Sequence, residues 1–287
     1  MSKLKIIWLS GHGFKQESCW EYDYITKDLF SLFDVEVFVL TDDYNLFIDN
    51  SLIVYSSDDR TLSKKIQNYL EECDSKKLKY NLLHLSNEQL NHNCDYYSNA
   101  KVVFRNYFDP SIKQKNVVVL PLGYKTGFTN NNPKKLKDKK YDYCFIGQPK
   151  WDRFQLIDII KKNGNSYIHT INQWDSPQSL KSKEMQDILK LTKIVPCPMG
   201  NILPETFRFY ETLESGSIPV IRRYNGSDYY SGFFKNHPIP TVNDWNELPL
   251  VMDSLINNGY DSTCTNINNW YATIKQELRQ LVYVRLH

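Results

Sequence analysis

Lys193–Ile221, KIVPCPMGNILPETFRFYETLESGSIPVI, decides how this chain folds. It reads as a short apolar strand, a turn rich in Pro, Gly and Asn, a helix, and a second strand. Pro204 suits the first turn of that helix, and Gly216 suits a left-handed stop at its end. The pattern is one crossover unit of a parallel sheet. Ligands of open α/β sheets bind at the carboxyl edge of the strands, where loop amides and the helix dipole favour phosphates. Arg208 and Glu211, three apart, share one helix face. A cation and a carboxylate so placed suit a nucleotide, one for diphosphate charge and the other for ribose hydroxyls. A surface salt bridge has the same spacing, and spacing alone does not separate the two. Gly200 and Asn201 form the loop above the helix, which Pro196 and Pro198 stiffen.

Working upstream, Tyr141–Ile146 reads as a strand followed by Gly147 and, one turn into the next helix, Arg153. A glycine there lets a ligand approach backbone N–H groups closely, and Arg153 is placed to reach the same phosphate. Further strands are expected at 166–171 and 239–242, with helices at 151–162, 180–191, 204–215, 243–257 and about 268–285. The first half alternates too. Strands are expected at 5–10, 35–40, 52–56, 81–86, 102–105 and 117–122, with helices at 18–33 and 61–72. Near-continuous apolar strands separated by helices argue for a parallel sheet covered on both faces. Between the halves, TNNNPKKLKDKK has no apolar period and reads as a solvated linker, including Lys134, Lys135, Lys137, Lys139 and Lys140. The expected division is therefore 1–128, a linker at 129–140, and 141–287, with the final helix packing back across the domains.

Composition bounds the function. The chain has 287 residues, 41% hydrophobic and 24% charged, which is the balance of a soluble globular protein. A net charge of +2 demands neither nucleic acid nor an anionic membrane. No apolar run reaches the length of a membrane span, and the five-residue run before Gly11 reads as a buried strand rather than a signal segment. Cys19, Cys73, Cys94, Cys144, Cys197 and Cys264 show no paired spacing, so reduced thiols in a cytoplasmic setting are expected. The 20 Tyr, 14 Phe and 6 Trp could build cores or sugar platforms.

Several motifs then fall into one order: Pro196-Cys197-Pro198-Met199-Gly200, Arg208-Phe209-Tyr210-Glu211, Ser215-Gly216 and Ile218-Pro219-Val220-Ile221, preceded by Phe145-Ile146-Gly147 with Arg153. Together they resemble the donor-nucleotide region of exostosin-like glycosyltransferases (glycosyltransferase family 47 and its relatives). Leu83–Glu88, Val103–Tyr107 and Pro121–Tyr124 are similar to a subgroup containing xylosyltransferases. The family's usual Ser-Asp-Glu-like triplet is Ser86-Asn87-Glu88 here, so Glu88 is the carboxylate carried forward.

The resemblance implies an α/β protein in the GT-B arrangement, two Rossmann-like domains with parallel sheets facing a central cleft. It implies a UDP-sugar donor, xylose foremost, on the C-terminal domain, and transfer with inversion to a glycan acceptor. Inversion needs a base for the acceptor hydroxyl. Glu88, after a first-domain strand, and His12, between Gly11 and Gly13, both fit, and Arg105 is placed to bind acceptor or orient a carboxylate. No Asp-x-Asp occurs, since Asp42-Asp43 and Asp58-Asp59 are adjacent pairs. Leaving-group charge would fall to Arg153, Arg208 and the amides around Gly200, with no metal or other cofactor required. The alternative is a non-catalytic nucleotide- or carbohydrate-binding module of the same fold. A glycoside hydrolase would need two flanking carboxylates, and no Gly-x-Gly-x-x-Gly supports a dehydrogenase or epimerase.

Overall fold

A computed structural model describes residues 2–9, 13–16, 19–41, 44–56, 60–90, 94–128, 133–173 and 176–287. They form two units, one of Met1–Leu122 with Lys275–His287, the other of Gly123–Ile274.

The first unit is built on β1 (Ser2–Trp8), β2 (Phe33–Val39), β3 (Ser51–Ser56), β4 (Tyr80–Leu85), β5 (Val103–Arg105) and β6 (Val117–Val119). They run parallel in the order β2-β1-β3-β4-β5-β6. β3 and β4 are buried almost throughout, as their continuous apolar runs require of central parallel strands. α1 (Arg60–Ser75) covers one face with Ile66, Tyr69, Leu70 and Cys73, packed with Ile53, Tyr55, Leu82 and Val103. The helix expected at 18–33 is shorter. Its described core is a π-helical turn, Tyr24–Leu29, and Phe33 pairs with Ser2 as the first residue of β2. Asp28 on that turn is buried and takes Arg279 from the last helix, with Lys275 at 4.0 Å.

The second unit holds β7 (Tyr141–Gly147), β8 (Ser166–Thr170), β9 (Thr192–Cys197), β10 (Ile218–Arg222) and β11 (Thr241–Val242). They are parallel, in the order β11-β10-β9-β7-β8. Helices α2 (Arg153–Lys162), α3 (Ser182–Lys190), α4 (Phe207–Glu214) and α5 (Leu248–Asn257) connect or follow them, and α6 (Tyr260–Leu286) ends the chain. Among the described residues both sheets are thus parallel with helical crossovers, the paired Rossmann-like architecture of the GT-B fold class.

Several expectations change in the second unit, where the last helix starts at Tyr260 rather than about 268. Trp151 lies outside α2, in a left-handed conformation with φ +50°. α4 begins at Phe207 rather than Pro204. Thr206 is extended (φ −143°), and the preceding Glu205 is buried against the Tyr210 hydroxyl, which donates to it at 2.5 Å. That contact holds 204–206 out of helical geometry. Lys139 does not sit in a solvated linker; it is buried and donates to Ser217 Oγ at 2.9 Å, while Lys134, Lys135, Lys137 and Lys140 are exposed. Residues 129–132 of that stretch lie outside the described residues. Gly216, at φ +65°, is the left-handed stop of α4 that the sequence calls for.

Candidate functional site

The carboxyl edge of the second sheet has a gap built by proline. The hydrogen-bonded register of β7 on β9 ends at Tyr143↔Ile194, and Pro196 has no N–H to extend it. Gly147 and Cys197, the last residues of the two strands, flank the opening. Arg208, on the first turn of α4, reaches back into it. Its Nη2 donates to the carbonyl of Ile146 at 3.1 Å, and its Nη1 lies 2.8 Å from Glu211 Oε2. This Nη1 is buried and, despite the short distance, makes no aligned hydrogen bond. Glu211 is only 3% exposed, so the pair is not a surface salt bridge. Burial raises the Glu211 carboxyl above the ordinary range, and the charges of Arg208 and Lys125 pull it back down in part. A carboxylate buried beside a geometrically fixed, half-buried cation is costly to keep for stability alone.

The loops around the gap are braced by polar contacts. Arg153 donates to the carbonyls of Gln148 (3.1 Å) and Met199 (2.5 Å), tying the loop after β7 to the loop after β9. The Lys150 ammonium donates to the side chain of Asn201. The Gly200 N–H donates to Leu203 O at 2.8 Å, closing the β9 loop on itself. Gly147 has φ +150°, outside the range of ordinary L residues, and a Cβ built there would meet nothing within 4 Å. Glycine is therefore required by the backbone, and the space beside it is open. Gly147, Arg153, Gly200, Asn201, Arg208 and Glu211, all expected from sequence at the donor edge, come together on this one edge.

Other residues of this edge carry no readable signal in the sequence. Lys125 acts on Glu211 from a segment far upstream. Asp152 accepts from Trp245 Nε1 at 2.8 Å and pairs with Arg222 at 3.1 Å, pinning the β7 loop to the end of β10. Glu205, fully buried, receives the Tyr210 hydroxyl and, at 3.5 Å, that of Tyr229. The partners of Lys125 and Asp152 are distant in sequence, so no local spacing marks them.

In the first unit, Glu88 is half-buried in the turn after β4, its N–H donating to Ser86 O at 2.9 Å. Ser86 is left-handed (φ +60°) and donates to Glu21 Oε1 at 3.2 Å, which brings a second, unanticipated carboxylate to that strand end. Arg105 ends β5 and is 1% exposed. Its Nε donates to Asn106 O, its Nη atoms make no hydrogen bond, and the Asp109 carboxylate lies 3.8 Å away. His12 lies outside the described residues. Among the described residues, no three His, Cys, Asp or Glu side chains cluster to hold a metal ion, and no helix is long and apolar enough to cross a membrane. All six cysteines are buried, and none is joined in a disulfide.

Residues 124–286 match the family model described as RXYLT1 C-terminal domain. Among solved structures, an alpha1,3-fucosyltransferase shares 13% identity over 99% of this chain and 90% of its own, with a TM-score of 0.58. The same comparison with an alpha1,3-fucosyltransferase holding GDP gives 0.52. Alr3699/HepE of Anabaena, in complex with UDP, shares 11% identity over 99% of both chains, with a TM-score of 0.54. At these identities the likeness is one of fold. No curated protein matches the chain.

Proposed function

The chain belongs to the RXYLT1 C-terminal domain family, and from that premise we propose that it is an inverting, metal-independent glycosyltransferase. It takes a sugar, xylose foremost, from a UDP-sugar and passes it to a hydroxyl of a glycan acceptor. The observation that carries this reading is the half-buried Arg208 set against the buried Glu211 carboxylate in the gap between β7 and β9. Solved proteins of like fold that hold UDP or GDP are consistent with it.

In this mechanism Glu211 accepts from the ribose hydroxyls. Arg208 and Arg153 face the diphosphate, with amides around Gly147 and Gly200 and the side chain of Asn201 completing the donor site. A base, Glu88 or His12, removes the acceptor hydroxyl proton as the oxygen attacks the anomeric carbon. The bond from that carbon to the diphosphate breaks on the opposite face, and the electron pair leaves with UDP. Charge that builds on the leaving oxygen is met by the two guanidiniums, so no metal enters the scheme. Arg105 is assigned to the acceptor side.

A panel of UDP- and GDP-sugars tests this by thermal shift and by release of free nucleotide diphosphate. UDP-xylose is expected to raise the unfolding midpoint and to turn over. If no nucleotide stabilises the protein, the donor site is wrong. Stabilisation without turnover under any acceptor would leave only a binding module.

A further inference from the structure

Of the eight large apolar side chains exposed among the described residues, three (Trp151, Phe154 and Ile202) lie in or beside the loops that follow β7 and β9. Apolar exposure gathered at a binding edge marks a contact surface rather than random scatter. Lys150 joins the two loops here, its ammonium standing 4.5 Å over the Trp151 ring while it donates to Asn201.

Trp151 is 56% exposed, yet its backbone is left-handed. It sits at φ +50°, a conformation unfavourable for a bulky side chain. Tethers on both sides enforce it. Gln148 Nε2 donates to Asn172 O at 2.8 Å, Arg153 holds the Gln148 carbonyl, and Asp152 is pinned by Trp245 and Arg222. A tethered backbone presenting an exposed indole, with Lys150 over one face, loses little freedom when a flat ligand lands on the other.

We propose that the Trp151 indole is the stacking platform for the nucleobase of the donor nucleoside diphosphate, an assignment that rests on the nucleotide reading above. The phosphates are assigned to Gly147 and Arg153, four residues before and two after Trp151 in sequence. A base on the exposed rim next to them therefore falls within reach of this ring. Every base offers a π-face, so the platform contributes affinity without choosing between uracil and guanine.

The test is calorimetric titration of the full chain with UDP, GDP, uridine and inorganic pyrophosphate. Trp151→Gly keeps the left-handed backbone and removes the ring, while Trp151→Phe keeps a ring. Trp151→Gly is expected to weaken UDP, GDP and uridine by about ten- to a hundredfold, and to leave pyrophosphate unchanged. Its thermal midpoint should not fall, because glycine adopts this φ freely. Trp151→Phe should bind nearly as the wild type does. UDP binding by Trp151→Gly at wild-type strength overturns the platform and leaves the nucleotide reading intact. Equal loss of pyrophosphate also overturns it, since the ring would then act by holding the phosphate loop. A wild-type chain that binds none of the four overturns both.

Discussion

Glu211 shows what burial does to a residue whose spacing is unremarkable. Its carboxyl is raised because burial outweighs the attraction of Arg208 and Lys125. The folded state therefore takes up a proton more readily than the unfolded chain. The resulting stability is fully present below the unfolded value and is lost as pH rises through the folded one. Urea midpoints of the wild type should thus fall as pH climbs just above the ordinary carboxylate range, and Glu211→Gln should remove that slope. The same substitution replaces the carboxylate by a neutral isostere, so the fold should be no less stable at neutral pH. UDP affinity should fall with it; unaltered affinity would remove Glu211 from the donor site. Arg208 and Glu211 were legible as a helical pair, but the burial of Glu211 was not, nor the Ile146 carbonyl of β7 that accepts from the guanidinium beside it.

At the scale of elements, the stretch before β7 is anchored rather than free. The Leu136 N–H donates to Asp261 Oδ1 at 2.7 Å, the Lys140 N–H to Leu191 O at 2.7 Å, and Lys139 reaches Ser217. Burial lowers the Lys139 ammonium from 10.5 to about 8. Between those two values the unfolded chain holds a proton that the folded chain has released, so stability rises with pH across that window. Below it the buried charge costs up to about 3 kcal/mol. Lys139→Met should flatten the rise and be the more stable protein at neutral pH; a wild-type profile level from about pH 8 to 10 would place the ammonium in water. Element types along the chain were readable, because apolar periodicity and the Gly216 stop are local properties. The ends were less so. Phe33 joins a strand because Ser2 pairs with it, and α4 starts late because Glu205 is held by Tyr210.

At the scale of the molecule, the donor assignment places the ligand on one unit. Hydrogen exchange with saturating UDP should slow in the loops after β7 and β9 and in the first turn of α4. UDP at a hundredfold its dissociation constant should stabilise by about 2.7 kcal/mol. Protection confined to β1–β6 would contradict the assignment. The sequence by itself determined the class of fold, two successive parallel α/β units, because strand and helix periods, glycine stops and chain length are written locally. It also placed Gly147, Arg153, Gly200, Asn201, Arg208 and Glu211 at the second edge, but not Lys125, Asp152 or Glu205. Only the tertiary structure decided that Glu211 is buried beside Arg208, that Lys139 is not solvated, and that Trp151 stands exposed on a tethered turn. Burial and pinning are set by groups arriving from distant strands, and the local environment that makes a charge costly or a ring available exists only once those strands have met.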